Sequence, residues 1–294
     1  MQETDPNKRV WRILTPIFIQ WGMSFVGSMC ISIWLMAKSF PQLMAASTDQ
    51  SQLTKLMNEM MEEMLRYSVE ITIITAALTI PVVLWMFLSD RKKEKLAGLV
   101  IAKKAPLWQY GILLVMGVVV CLGLNNVLTL LNLVLSSAQY QDASEQLYSI
   151  KFGLQLISWG LLLPIAEELI FRGLIYKRLR EYSSVIKAAC FSALLFGVYH
   201  GNLIQGIYAF IIGGILAYVY ETYGSIKAPI FLHVVVNVTS IMATKYDLFI
   251  WMFKEPLRVG IVSAVCAGVG ASMYVLIQKL NKDMQETKDI QEAN

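Results

Sequence analysis

The sequence predicts an all-α, polytopic membrane helix bundle with about eight transmembrane helices. Three observations carry that prediction. Hydrophobic residues make up 56% of the chain and charged residues only 16%, at a mean hydropathy of +0.55, whereas a soluble domain carries roughly a quarter charged residues. Apolar stretches of about 18 or more residues recur along the whole length, which fits membrane helices rather than the short alternating strands of a β-barrel. The basic residues gather beside those stretches, as juxtamembrane anchors do. The net charge of +4 therefore reports topology and contact with the anionic lipid bilayer, with no case for nucleic acid.

The first apolar segment, Trp11 to Met36, follows Lys8 and Arg9. It is longer than a signal-peptide core and has no small-residue cleavage site, so it reads as a retained helix. Residues 38 to 66 are polar, with Met57, Met60, Met61 and Met64 at helical spacing. They read as an amphipathic helix lying on the membrane or on its neighbours. A second span, Tyr67 to Leu88, runs into Asp90-Arg91-Lys92-Lys93-Glu94-Lys95. With Lys103 and Lys104 this is the densest positive region and is predicted to be cytoplasmic.

The third span, Leu107 to Ser136, carries Asn125 and Asn126, amides suited to bonding across helices or to lining a cavity. A polar external loop is expected at 137 to 150. The fourth span starts near Phe152 and ends in the basic patch Lys177-Arg178-Leu179-Arg180. Ser184 to His200, Leu203 to Tyr223, Pro229 to Lys245 and Leu257 to Leu280 complete the set, followed by a charged tail expected to fray. Alternating these spans places both basic patches and both termini in the cytoplasm. The chain divides into amino-terminal helices (1–151), a central helical core (152–245), and a last helix with its polar tail (246–294). Cys30, Cys121, Cys190 and Cys266 stand singly in apolar segments, with no CxxC or metal-finger spacing, and read as free buried thiols.

Three polar clusters interrupt this apolar pattern: Glu167-Glu168-x-x-x-Arg172, Phe196-x-x-x-His200 and His233-x-x-x-Asn237. His200 and His233 are the chain's only histidines. Ionisable groups at membrane depth cost about 3 kcal/mol each on insertion scales, so they point to function. In a helix Glu168 and Arg172 are i,i+4 partners with the acid first, the favourable order. Glu167 then points about 100° away. A carboxylate without a cation, shielded from water, is suited to accept or hold a proton near neutral pH. The bland alternative makes all three residues one structural charge network.

Phe196 falls one turn before His200, so its ring can fix the imidazole. His233 and Asn237 share a face and could donate hydrogen bonds to an oxyanion, or the histidines could bind a metal. Glu167 lies 14 residues before Glu181 and His200 lies 16 after Ser184, so a helical hairpin sets them at similar depth. His233, four residues past Pro229, counts as shallower. These spacings predict a site roughly 10 Å below the cytoplasmic surface.

The ordered set EExxxR, FxxxH and HxxxN on three membrane helices resembles the CPBP intramembrane proteases. These comprise type II CAAX prenyl endopeptidases and bacterial abortive-infection or bacteriocin-processing homologues. The resemblance spans about residues 152 to 240, including Gly224 to Ile230 ahead of His233. It implies an intramembrane endopeptidase in which Glu167 activates a water with help from His200. His233 and Asn237 would stabilise the oxyanion, and Glu168 and Arg172, beside Phe196, would support the site or bind substrate. No cofactor follows from the motifs alone. The chain has no HExxH; a metal such as Zn would use Glu167, His200 and His233, and a metal-free glutamate mechanism fits the same residues.

The rival readings are a proton-coupled transporter, which often shows inverted repeats that this chain lacks, and a proteolytically inactive membrane scaffold. The expected partners are a peptide or membrane-protein substrate and the lipid bilayer. The expected location, from compact length and absence of targeting extensions, is a bacterial cytoplasmic membrane.

Overall fold

The computed structural model describes residues 5–98, 104–131 and 151–293, with side chains to residue 280. The expected external loop at 137–150 falls wholly outside the described residues, as do Lys103 and the end of the expected third span, 132–136. Every regular element among the described residues is helical.

Helix α1 (Pro6–Ala46) begins where Asp5 accepts the Asn7 backbone N–H at 2.9 Å, with Pro6 fixing the first turn. At 41 residues it extends about 60 Å, twice a bilayer core. The amphipathic segment expected over 38–66 is therefore split. Its first part continues α1, and Asp49 caps a separate helix α2 (Gln50–Arg66) that turns back. A Lys38–Glu63 ion pair at 2.5 Å, a Ser32–Met64 contact and an edge-on Trp34–Tyr67 pair hold the two together. No α2 residue is buried, so it lies on its neighbour rather than in a core.

Helix α3 (Ser68–Leu96) packs along α1, and α4 (Tyr110–Leu130) follows a single 3₁₀ turn. Helix α5 (Phe152–Arg180) is the most buried of the candidate spans. Two of its stretches, Leu156–Leu162 and Leu169–Tyr176, are wound as π-helix, the wider turn often found where a helix presents functional side chains. Next come α6 (Val185–Tyr199), α7 (Leu203–Tyr223), α8 (Lys227–Lys245), a short α9 (Leu248–Phe253) and α10 (Pro256–Ala293). The backbone of α10 stays helical through Ala293, where the sequence pointed to fraying.

Seven of these helices are long and apolar enough to cross a membrane. The eighth expected span, α6, has 15 residues and reaches about 22 Å, short of a hydrocarbon core of roughly 30 Å. His200 therefore lies at the end of a short helix rather than inside a membrane-length one.

One core joins α4, α7, α8 and α10 around Leu113, Leu216, Leu232 and Ile277. A second joins α1, α3, α5 and α6 around Val83, Ile170, Leu174 and Phe196. Small residues let backbones approach. A Cβ on Gly197 of α6 would fall 2.7 Å from the Gly206 carbonyl of α7, and one on Gly117 of α4 would fall 2.5 Å from Val235 of α8.

At one end of the bundle Arg12 forms two bonds to Glu181, at 2.6 and 2.8 Å. Arg178 binds Asp90 at 2.8 Å and the Arg12 carbonyl. This clasp places the start of α1 and the ends of α3 and α5 together, as alternation of the spans requires. Asn125 bonds within α4 and to Tyr208 of α7, and Asn126 bonds Ser263 of α10, so both amides serve packing. The four cysteines are free, but Cys30 and Cys190 are exposed on the bundle's outer surface, contrary to the expectation that all four are buried.

Candidate active site

Glu167, Glu168 and Arg172 all project into the protein from α5, with Glu168 and Arg172 fully buried. Arg172 donates from Nη1 to Glu168 Oε1 at 2.8 Å, the i,i+4 pair read from the sequence. The same oxygen lies 2.8 Å from Nδ1 of His233 on α8. A carboxylate accepts, so Nδ1 of His233 carries the proton and Nε2 faces the other way. Nε2 stands 3.8 Å from Glu167 Oε2, too far for a direct hydrogen bond and close enough for an ion pair only in the imidazolium form. His233 is thus set between the two glutamates, oriented by one and addressed by the other. A buried ionic group of this kind must be paired to be tolerated.

Phe196 organises the rest. The Arg172 guanidinium carbon lies 4.5 Å from its ring centroid, a cation–π contact. The imidazoles of His200 and His233 meet the same ring edge-on, at 4.8 and 5.8 Å between centroids. Gly213 of α7 leaves room for the guanidinium, since a Cβ there would fall 3.1 Å from Nη2. Nε and Nη2 of Arg172 and Oε2 of Glu168 have no hydrogen-bond partner among the described residues.

His200 sits at the end of α6 because Gly201 takes the left-handed conformation, φ 65°, and stops the helix. Asn202 then caps α7 by accepting the Ile204 and Gln205 N–H groups. The His200 Nδ1–H donates to the Phe196 carbonyl at 2.8 Å. A carbonyl only accepts, so in the neutral ring the lone pair is on Nε2, the atom a base or a metal ligand uses.

The structure therefore gathers Glu167, Glu168, Arg172, Phe196 and His233 into one buried cluster, with His200 held half-buried on its edge. Asn237, one turn beyond His233, donates to the Trp159 carbonyl of α5 at 2.9 Å. That bond ties α8 to α5 and uses one of the two amide hydrogens. Among the described residues no three His, Cys, Asp or Glu side chains gather closely enough to hold a metal ion, Glu167, His200 and His233 included.

Three participants escaped the sequence reading. Glu168 as the partner of His233 is a contact across 65 residues. The Trp159 carbonyl is backbone, with no signal in the residue type. Tyr199, next to His200, was legible only as part of an apolar run, yet its ring meets the imidazole at 6.1 Å.

Residues 149–239 match a family model described as type II CAAX prenyl endopeptidase Rce1-like. A Bacillus subtilis (strain 168) protein described as "Putative membrane peptidase YdiL" is 32% identical over 84 residues. That alignment covers 29% of this chain and 34% of the relative, so the chain spans about a third of the curated relative it matches. No solved structure matches. The matched stretch contains all three motifs and every side chain of the cluster.

Proposed function

We propose, from the premise that residues 149–239 carry an Rce1-like core, that this integral membrane protein is an intramembrane endopeptidase. The observation that carries the reading is His233 held between Glu168 at 2.8 Å and Glu167 at 3.8 Å, all three at most 5% exposed.

In the proposed reaction Glu167 takes a proton from water while the water oxygen attacks the scissile carbonyl carbon. His200, with Nε2 open, assists in placing that water. Negative charge builds on the carbonyl oxygen, and the spare Asn237 N–H donates to it; His233 joins from Nε2 in its imidazolium form, with Nδ1–H still on Glu168. Collapse of the tetrahedral intermediate breaks the C–N bond, and the proton held by Glu167 passes to the leaving amine. Glu168 and Arg172 act through His233 and Phe196 as positioning residues. The mechanism proposed is metal-free. A metal, if used, would take Glu167 and the two Nε2 atoms after they draw together.

The proposed topology puts both termini and the Arg12–Asp90–Arg178–Glu181 clasp in the cytoplasm of a bacterial cell. Glu167 lies 11 residues from Arg178, about 16 Å along the helix, which sets the proposed cleavage depth. The substrate class is a peptide or membrane-protein segment entering from that side.

The test compares peptidomes of cells expressing wild type or Glu167→Ala at matched levels. A precursor that accumulates in the mutant while its product disappears identifies the substrate. Cleavage of that peptide by purified protein, undiminished by a chelator, is the expected result. Identical peptidomes with both proteins correctly inserted would count against the hydrolase.

A further inference from the structure

Beside the cluster lies a second feature, four of whose five polar lining residues come from helices outside the stretch that matches the family model. A cavity of about 160 Å³ is walled by Gln20 and Ser24 of α1, Thr72 and Thr75 of α3, Ala166 of α5 and Tyr199 of α6. Five of its lining side chains are polar, four of them on α1 and α3, which are otherwise apolar enough to span a membrane. Gln20 and Thr75 are more than nine-tenths buried, and Oε1 of Gln20 and Oγ1 of Thr75 have no hydrogen-bond partner among the described residues.

Polar atoms withdrawn from both water and protein partners are costly, and buried ones in proteins are satisfied by ordered water when space allows. At roughly 30 Å³ per molecule the recess has room for about five waters. An acyl chain would leave these acceptors unpaired. The location gives the water a use. Of the recess-lining residues, Ala166 directly precedes Glu167 in α5 and Tyr199 directly precedes His200. A hydrolase site in an apolar bundle needs a source of water at that depth.

We propose that this recess between α1, α3 and α5 is a water site that supplies the hydrolytic water to Glu167. The supply role rests on the endopeptidase reading; the hydration of the recess does not. The amino-terminal helices thereby serve the catalytic core rather than only surrounding it.

The test is thiol accessibility in proteoliposomes, using methanethiosulfonate ethylammonium, which reacts with the thiolate and so reports water. Ser24→Cys is placed in protein whose four native cysteines are alanine. The reference protein retains only Cys30, six residues along the same helix and exposed on the bundle's outer surface. Ser24→Cys is expected to label at least about tenfold faster than Cys30. Adding Gln20→Leu and Thr75→Val should slow it toward the Cys30 rate. Thr72→Cys gives a second probe if Ser24→Cys disturbs α1. Labelling of both probes at the Cys30 rate, whether an acyl chain or a side chain fills the recess, overturns the proposal. Slow labelling with Glu167-dependent cleavage intact removes the water site and leaves the hydrolase reading standing. Fast labelling without any Glu167-dependent cleavage confirms a hydrated recess, and removes its assignment to hydrolysis together with the enzyme.

Discussion

His233 and Glu168 are 65 positions apart in sequence, yet Nδ1 of one lies 2.8 Å from Oε1 of the other in a site closed to solvent. The same carboxylate oxygen takes the Arg172 guanidinium at 2.8 Å. One acid thus fixes the imidazole tautomer and neutralises a buried cation, while its chain neighbour Glu167 keeps a carboxylate facing Nε2. Two adjacent glutamates acquire different tasks because successive helical residues point about 100° apart.

Glu168→Gln should therefore damage the fold as well as the chemistry. It leaves Arg172 without its anion at full burial, and breaking a buried pair costs about 3 kcal/mol or more. Thermal unfolding of the purified protein should show a marked loss of stability. A Glu168→Gln protein as stable as wild type would contradict the pairing.

Glu167→Gln should separate the two effects. Its carboxylate holds no direct bond to Arg172, so the folded protein should persist with stability within about 1 kcal/mol of wild type. Cleavage should fall by roughly two to four orders of magnitude, the usual range for losing a general base. Single-turnover kinetics in proteoliposomes would measure it.

Phe196→Leu keeps an apolar side chain of similar volume but removes the ring that Arg172, His200 and His233 share. Stability should drop by about 1 to 2 kcal/mol. The rate should drop further than stability alone explains, because both imidazoles lose their lateral support. A kcat unchanged beside an altered unfolding temperature would show that the ring serves packing only.

Gly197→Val tests how the His200 helix is seated. A Cβ there meets the Gly206 carbonyl at 2.7 Å, and backbone cannot swing aside. The α6–α7 pair should separate, with a loss of about 1 to 3 kcal/mol from overpacking and poor recovery of folded protein. Gly214→Ala on α7, where an added Cβ meets nothing within 4 Å, is the matched control and should fold normally.

Arg178→Ala should loosen the clasp at the end of the bundle. Arg178 is buried, binds Asp90 and caps the Arg12 carbonyl, and without it Asp90 would keep only its longer contact to Arg12 at 3.6 Å. Unfolding should occur earlier by an amount equivalent to about 2 to 4 kcal/mol, with the Glu167 site chemically intact. Calorimetry together with the cleavage assay would show the two separately.

The sequence by itself determined the fold class and singled out the residues of the candidate site. A hydrophobic content of 56% and recurring membrane-length stretches leave helices as the economical way to satisfy backbone groups in lipid, and Glu167, Arg172, His200 and His233 stand out because charge there is expensive. Helical periodicity also gave the Glu168–Arg172 pair, since it is local. The tertiary structure decided everything that depends on one helix meeting another. It moved His233 onto Glu168, engaged Asn237 with the Trp159 carbonyl, set Phe196 against three partners, and formed a polar recess between α1, α3 and α5. Spacing along a chain fixes which residues share a helix face; the depth and rotation at which helices pack are set by small residues such as Gly197 and Gly213 and by the partners they admit.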